Sequence, residues 1–176
     1  MRREMKMNVK IISEHGYFAS MLGLSLSYNQ TLDKMPAVAD RLKDKYGGHN
    51  KFLESIVLWV DVTAPRYFWS QGDTYRISTK QSQSTMHTLL REPIVQEMFE
   101  NPIHPTFIEI LEDLRFNKKF QELKDHLPEG FLQRRVWMFS YMTLKNMINQ
   151  RSDHKLPQWQ YFIDQMKQQV ENPELL

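Results

Sequence analysis

The run from Thr74 to His87, TYRISTKQSQSTMH, is dense in hydroxyl and amide side chains and almost free of aliphatics. Groups of this kind do recognition chemistry. They donate and accept hydrogen bonds, so they must face water or a ligand. Carriers of covalent chemistry are scarcer. No cysteine occurs, which removes a thiolate nucleophile, a Cys-based metal site and a disulfide frame. Glu109, Glu112 and Asp113, with Lys118 and Lys119, read as the solvated face of a helix. No carboxylate pair at a metal-binding spacing stands out from them. No catalytic or metal-ligating residue is assigned.

The polar run must be carried by something apolar. Just before it, Ser55 to Thr63 reads as a strand, with Ile56, Leu58, Val60 and Val62 on one face at period two. Ala64-Pro65 ends it, and Arg66 to Gln71 is a short helix closed by Gly72-Asp73. Thr74 to His87 then reads as a polar loop. Upstream, Asn8 to Ile12 suits a first strand. Gly16 to Tyr28 fits either a helix or a strand. Pro36 to Tyr46 reads as a helix stopped by Gly47-Gly48.

Downstream, Glu92 to Glu100 is a short helix candidate. Thr106 to His126 is a longer one, striped by Phe107, Ile110, Leu111, Leu114 and Phe120. Leu132 to Phe139 suits a strand and Thr143 to Gln150 a helix. Pro157 starts a last helix with Trp159, Phe162, Ile163 and Met166 inside. Trp69 and Trp159 are expected in the core. Strands interleaved with amphipathic helices predict an α/β (α+β) fold. Its mixed sheet would contain 55–63 and 132–139, with helices 36–46, 106–126 and 157–170 around it.

The 176 residues suit a single domain, and a 41% hydrophobic and 12% aromatic content can fill its core. A net charge of +2 is too small to point to nucleic acid, so a basic nucleic-acid binder is disfavoured. No apolar run approaches the roughly 18 residues of a membrane span. The opening MRREMKMNVK is basic but has no apolar signal core. The lack of cysteine fits a reducing cytoplasm.

Two regions together resemble the flavin-dependent thymidylate synthases. In that family an apolar strand and a short helix lead to RHRxxSxxExSxRY, with Gln three residues before it. Here the ungapped spacing gives Gln71, Thr74-Tyr75-Arg76, Thr79, Ser82, Ser84, Met86 and His87. Gln71, Arg76 and Ser84 are kept. Thr74 and Tyr75 replace the first Arg and the His, Ser82 the Glu, and Met86-His87 the final Arg-Tyr. The family's later region runs LP-x5-R-xx-W-xx-NAR-S-L, then FLxLR, then AQWE. Leu127-Pro128, Arg134, Trp137, Leu144, Arg151 and Gln158-Trp159 fall in corresponding places. One extra residue is needed between Arg151 and Gln158, and Ser140-Tyr141-Met142 stands for NAR. The family's intervening segment is longer, so the chain reads as a trimmed version.

The resemblance implies that Arg134 and Arg151, with Gln71, Arg76 and Ser84, form one polar pocket for the phosphate of a dUMP-like nucleotide. An arginine fork suits that task through two parallel charge-assisted bonds. It implies a flavin (FAD) site at Ser55, Tyr75, Arg76, Asn146 and His154, with His49 at a second, looser position. It implies a homo-oligomer, a tetramer. An active protein would also use reduced nicotinamide and methylene-tetrahydrofolate, transferring a methyl or hydroxymethyl group to the base. The alternative is a non-catalytic member that binds a nucleotide or serves in assembly or regulation.

Overall fold

Ile56, Leu58, Val60, Val62 and Ala64 are all fully buried, as their period-two spacing requires. They belong to the central part of a computed structural model that describes residues 5–176. The start of the basic N-terminal run, residues 1–4, lies outside the described residues. The strands are β1 (Asn8–His15), β2 (Val57–Pro65), β3 (Ser78–Ser82) and β4 (Leu132–Ser140), in the sheet order β1-β2-β4-β3. β2 and β4 are antiparallel. Tyr141 N–H donates to the Ile56 carbonyl at one end and Arg66 N–H to the Phe131 carbonyl at the other, on a single register.

The helices in chain order are α1 (Tyr17–Tyr28), α2 (Met35–Leu42), α3 (Arg66–Gly72), α4 (Thr85–Thr88), α5 (Pro105–Phe116), α6 (Phe120–His126), α7 (Tyr141–Arg151) and α8 (Pro157–Gln169). The α/β class and the two principal strands are as the pattern predicts. The open choice at 16–28 resolves to helix α1. Gly16 (φ 98°) turns the chain out of β1, and Asn29 (φ 49°) ends the helix.

Four expectations need correcting. The helix expected over 36–46 stops at Leu42, where Lys45 N–H bonds the Leu42 carbonyl in a tighter turn, and Gly47 and Gly48 (φ 74° and 84°) then redirect the chain. Over 92–100 only a 3-10 turn forms, at Gln96–Met98. There the Gln96 amide bonds both backbone groups of Ile103, and Glu112 takes the Ile94 N–H, so side chains compete with helical bonding. The helix over 106–126 is two helices. Lys118 turns left-handed (φ 55°) and the Asn117 side chain caps back to Asp113, which lets Leu123 reach the core while Ile110 stays exposed. The polar run 74–87 is not all loop. It holds β3, a short polar edge strand carrying Lys80, which suits an edge, followed by α4.

The chain divides into two compact units. The first comprises the chain up to Asn8, Val62–Thr74 and Gln81–Arg135. Its core gathers Leu89, Ile94, Phe99, Leu111, Leu114, Leu123, Leu127 and Phe131, with Phe99 and Phe131 edge to face at 5.8 Å. The second comprises Val9–Asp61, Tyr75–Lys80 and Val136–Leu176. Its core is aromatic: Trp137, Phe139, Trp159 and Phe162 are all fully buried.

Gly16 yields the first test. A Cβ there would sit 2.0 Å from the Ser55 carbonyl oxygen, in a left-handed conformation. Gly16→Ala should cost at least about 1–2 kcal/mol from the backbone alone, read as a lower urea midpoint at unchanged slope.

Candidate functional site

The best-defined polar cluster of the second unit stands on its aromatic core. Trp137 meets Phe139 at 5.0 Å and Phe162 at 5.7 Å, and Trp159 meets Phe162 edge to face at 5.9 Å. This packing of α8 on β4 seats Tyr75, whose ring lies 6.0 Å from Trp159 and 6.4 Å from Trp137. The half-buried Tyr75 then holds the end of α7. Arg151 Nε–H donates to its hydroxyl at 3.1 Å, and the hydroxyl lies 3.1 Å from Gln150 Oε1. The Arg151 guanidinium carbon is 5.1 Å from the Trp159 ring centroid and 5.8 Å from that of Tyr75. Both lie within cation–π reach.

The backbone under Arg151 is fixed as well. Gln160 Nε2 donates to the carbonyls of Arg151, Ser152 and His154 at 3.3, 3.0 and 2.8 Å. His154 Nδ1 accepts the Leu156 N–H at 3.1 Å, and its ring is edge-on to Trp159 at 6.5 Å. Burial, then the cations of Arg151 and Lys155, hold the imidazole below the usual histidine pKa. Tyr75 thus joins Arg151 and His154, which lie more than 70 residues further along the chain, in one cluster.

Two clefts open in the same unit. One, of about 600 Å³, lies along α1 and is lined by Ala19, Gly23, Ser27, His49, Lys51 and Ser55, among others. The other, of about 480 Å³, includes Arg76, Ser78, Met138 and Ser140, and Glu54 borders both. Ser55 and His49 therefore share a cleft, while Arg76 lines its neighbour. Asn146 is exposed on α7 and lines neither.

In the first unit, Gln71 is half-buried on α3, Ser84 directly precedes α4, and Arg134 is exposed on β4. Thr85 and Gln133, their neighbours, line a cleft of about 420 Å³ floored by Leu89, Ile94 and Phe131. The residue that sequence reasoning passed over is Arg135. Alternation along β4 puts it on the opposite face from Arg134. Its guanidinium stacks 4.5 Å from the Trp69 ring centroid and bonds both Asp73 carboxylate oxygens at 3.0 and 3.2 Å. The period-two rule applied to 133, 135, 137 and 139 would have found it.

No protein-family model and no curated protein matches the sequence. Solved structures do match. Flavin-dependent thymidylate synthase ThyX from Helicobacter pylori, complexed with FAD and dUMP, superposes with a TM-score of 0.79 at 16% identity, over 96% of this chain and 97% of that one. A second structure of Thymidylate Synthase X from Helicobacter pylori, with FAD and dUMP, gives 0.78 at 18% identity and 96% of each chain. The chain has the flavin-dependent thymidylate synthase fold. Since 97% of the first neighbour is covered, the chain is not a trimmed version of that structure.

On this thymidylate synthase fold, the α1 cleft can be tested against a flavin by its residues. Ala19, Gly23 and Ser27 recur at i, i+4 and i+8, so α1 presents a row of small side chains to the cleft, flanked by Leu24 and Tyr28, on which a flat ring can lie. A Cβ on Gly23 would meet no atom within 4 Å, so the space above it is open. Lys51 supplies a cation for an anionic tail, and about 600 Å³ falls within the roughly 300–1,000 Å³ of ligand clefts. The residues fit the group in size and character. Among the described residues, no three His, Asp or Glu side chains gather as a metal-ligand set, and no helix is long and apolar enough to cross a membrane.

The His154 cluster carries a pH prediction. A depressed native pKa means the folded state resists protonation, so stability is full above the unfolded value near 6.5 and falls as pH drops through it. Denaturation midpoints should fall between about pH 7 and pH 5. In His154→Gln that part of the slope should be absent.

Proposed function

We propose that this chain is a divergent flavin-dependent thymidylate synthase-like protein that binds FAD and a pyrimidine nucleoside monophosphate of the dUMP type. The observation that carries the reading is the α1 cleft. The position at which the sequence resemblance implies flavin, Ser55, lies on a ring-sized cleft with a small-residue floor, in a fold whose solved neighbours hold FAD and dUMP. Ser55, His49 and Lys51 would hold the flavin there, and Arg76 lines the neighbouring cleft beyond the shared Glu54. When bound, a flavin supplies hydride transfer that no side chain can perform. Tyr75, Asn146 and His154 are the further cofactor contacts this reading assigns.

For the nucleotide, the sequence resemblance assigns Gln71, Arg76, Ser84, Arg134 and Arg151. A homotetramer in the cytoplasm, using reduced nicotinamide and methylene-tetrahydrofolate for methyl or hydroxymethyl transfer, completes the enzyme reading. A second reading, binding without turnover, has its own support. Where the family has the Arg and His of RHR, Thr74 bonds the Gln71 carbonyl at 2.7 Å and Tyr75 is engaged with Arg151 and Gln150. No imidazole stands at that position.

A visible spectrum of the purified protein, with mass analysis of what co-purifies, tests the flavin. Gly23→Leu should abolish flavin retention while leaving circular dichroism unchanged. It fills the cleft yet improves helix propensity by up to about 1 kcal/mol. A colourless protein that takes up no added FAD would overturn the cofactor assignment. Calorimetry with dUMP tests the nucleotide. Arg151→Lys loses a charge-assisted fork worth about 1.5–3 kcal/mol, or about one to two decades in Kd. Met86→Arg, at an exposed position, should tighten binding by restoring the family's cation. No heat with wild type or with Met86→Arg would remove the nucleotide reading.

A further inference from the structure

We propose that the cleft between α4 and the start of β4 binds a small organic cation, an amine or guanidine carried on a short apolar body. The cleft is lined by none of the residues assigned above to flavin or nucleotide, and all of its walls belong to the first unit. Its volume, about 420 Å³, lies within the roughly 300–1,000 Å³ of ligand clefts. Its floor is Leu89, Ile94 and Phe131, all buried members of the first unit's core, so packing fixes it before any ligand arrives. Met98, half-buried beside them, adds an adaptable thioether. The walls are placed by local bonding. The Thr88 carbonyl accepts the Glu92 N–H at 3.4 Å, which carries the α4 turn onward and brings Thr85, Thr88 and Glu92 to one side. The 3-10 turn at Gln96–Met98, tied by Gln96 to Ile103, presents Glu97 and Met98.

Charge selects the class of ligand. The lining carries two ionisable side chains, Glu92 and Glu97, and both are carboxylates. Among the described residues neither enters an ion pair. Two cations do reach lining side chains, but on neutral acceptors. Lys124 Nζ donates to the Thr85 hydroxyl at 2.7 Å, and Arg135 Nη2 to the Gln133 amide oxygen at 3.1 Å. Arg135 is also held by Asp73. An anion entering the cleft would meet two like charges. A cation would meet two carboxylates beside an apolar floor, where attraction is screened less than in open water. An amine on an apolar body satisfies the rim and the floor together. A nucleoside monophosphate does not, which separates this cleft from the nucleotide chemistry proposed above.

Phenethylamine is the probe, titrated by calorimetry into the whole chain at low salt. Phenethyl alcohol and hydrocinnamate serve as its neutral and anionic counterparts. The amine should bind with a Kd at or below about 1 mM. The alcohol should bind at least roughly 3-fold more weakly, and hydrocinnamate not at all. Glu92→Gln combined with Glu97→Gln, both at exposed positions, should weaken the amine roughly 3- to 10-fold and leave the alcohol unchanged. The Met98 methyl resonance, assigned through Met98→Leu, should shift on adding the amine and so locates it. No binding of the amine, equal binding of the alcohol, an unchanged double variant or an unmoved Met98 methyl would each overturn the proposal. Neither flavin nor dUMP enters the test, so it stands or falls separately from the readings above.

Discussion

The packing of Trp159 and Phe162 on Trp137 and Phe139 is the interaction on which the second unit's polar cluster depends. Large aromatic side chains bury much area and prefer tilted or edge-to-face contacts, which fix rings in direction as well as place. Tyr75 takes its seat from these rings, and Arg151 and His154 take theirs from Tyr75 and Trp159. Loosening this stack would move all three groups at once, although none is part of the hydrophobic core proper.

Cations in this protein are repeatedly held by ring faces. Arg151 lies over Trp159, Lys80 over Trp137 at 4.9 Å, and Arg135 over Trp69. Each such contact is worth about 0.5–2 kcal/mol, depending on solvation. The rings leave the charge in place. Arg135 differs in also gripping Asp73, which ties it to α3 through a forked ion pair. Arg135 is thus a structural link between β4 and α3, and Arg134 lies on the other face of β4.

The α1 cleft shows a different economy. Ser20 turns its hydroxyl onto the Phe52 carbonyl at 2.7 Å, so α1 is bonded to the segment before β2. Gly16 lets the chain pass under the Ser55 carbonyl. These two contacts set the distance between α1 and the Phe52–Ser55 segment. The small residues on the adjoining helix face keep the intervening space from being filled. Shape here comes from what is missing from side chains.

Local periodicity was enough for much of this architecture. The buried faces of β2 and α8, the ends of α3 and the α/β class follow from residue spacing, because each depends on neighbours a few positions away. The family resemblance was also legible, and the fold it implies is that of solved structures only 16–18% identical to this chain. What only the tertiary structure decided involves distant partners. The break at Lys118 needs Leu123 to reach the first unit's core. The pairing of β3 needs β4, and the failure of a helix at 92–100 needs Glu112 and Ile103. Above all, Tyr75 reads in sequence as one ring in a polar run. Its hydroxyl finds Arg151 only because the chain brings β4, α7 and α8 together, a contact that no local pattern encodes.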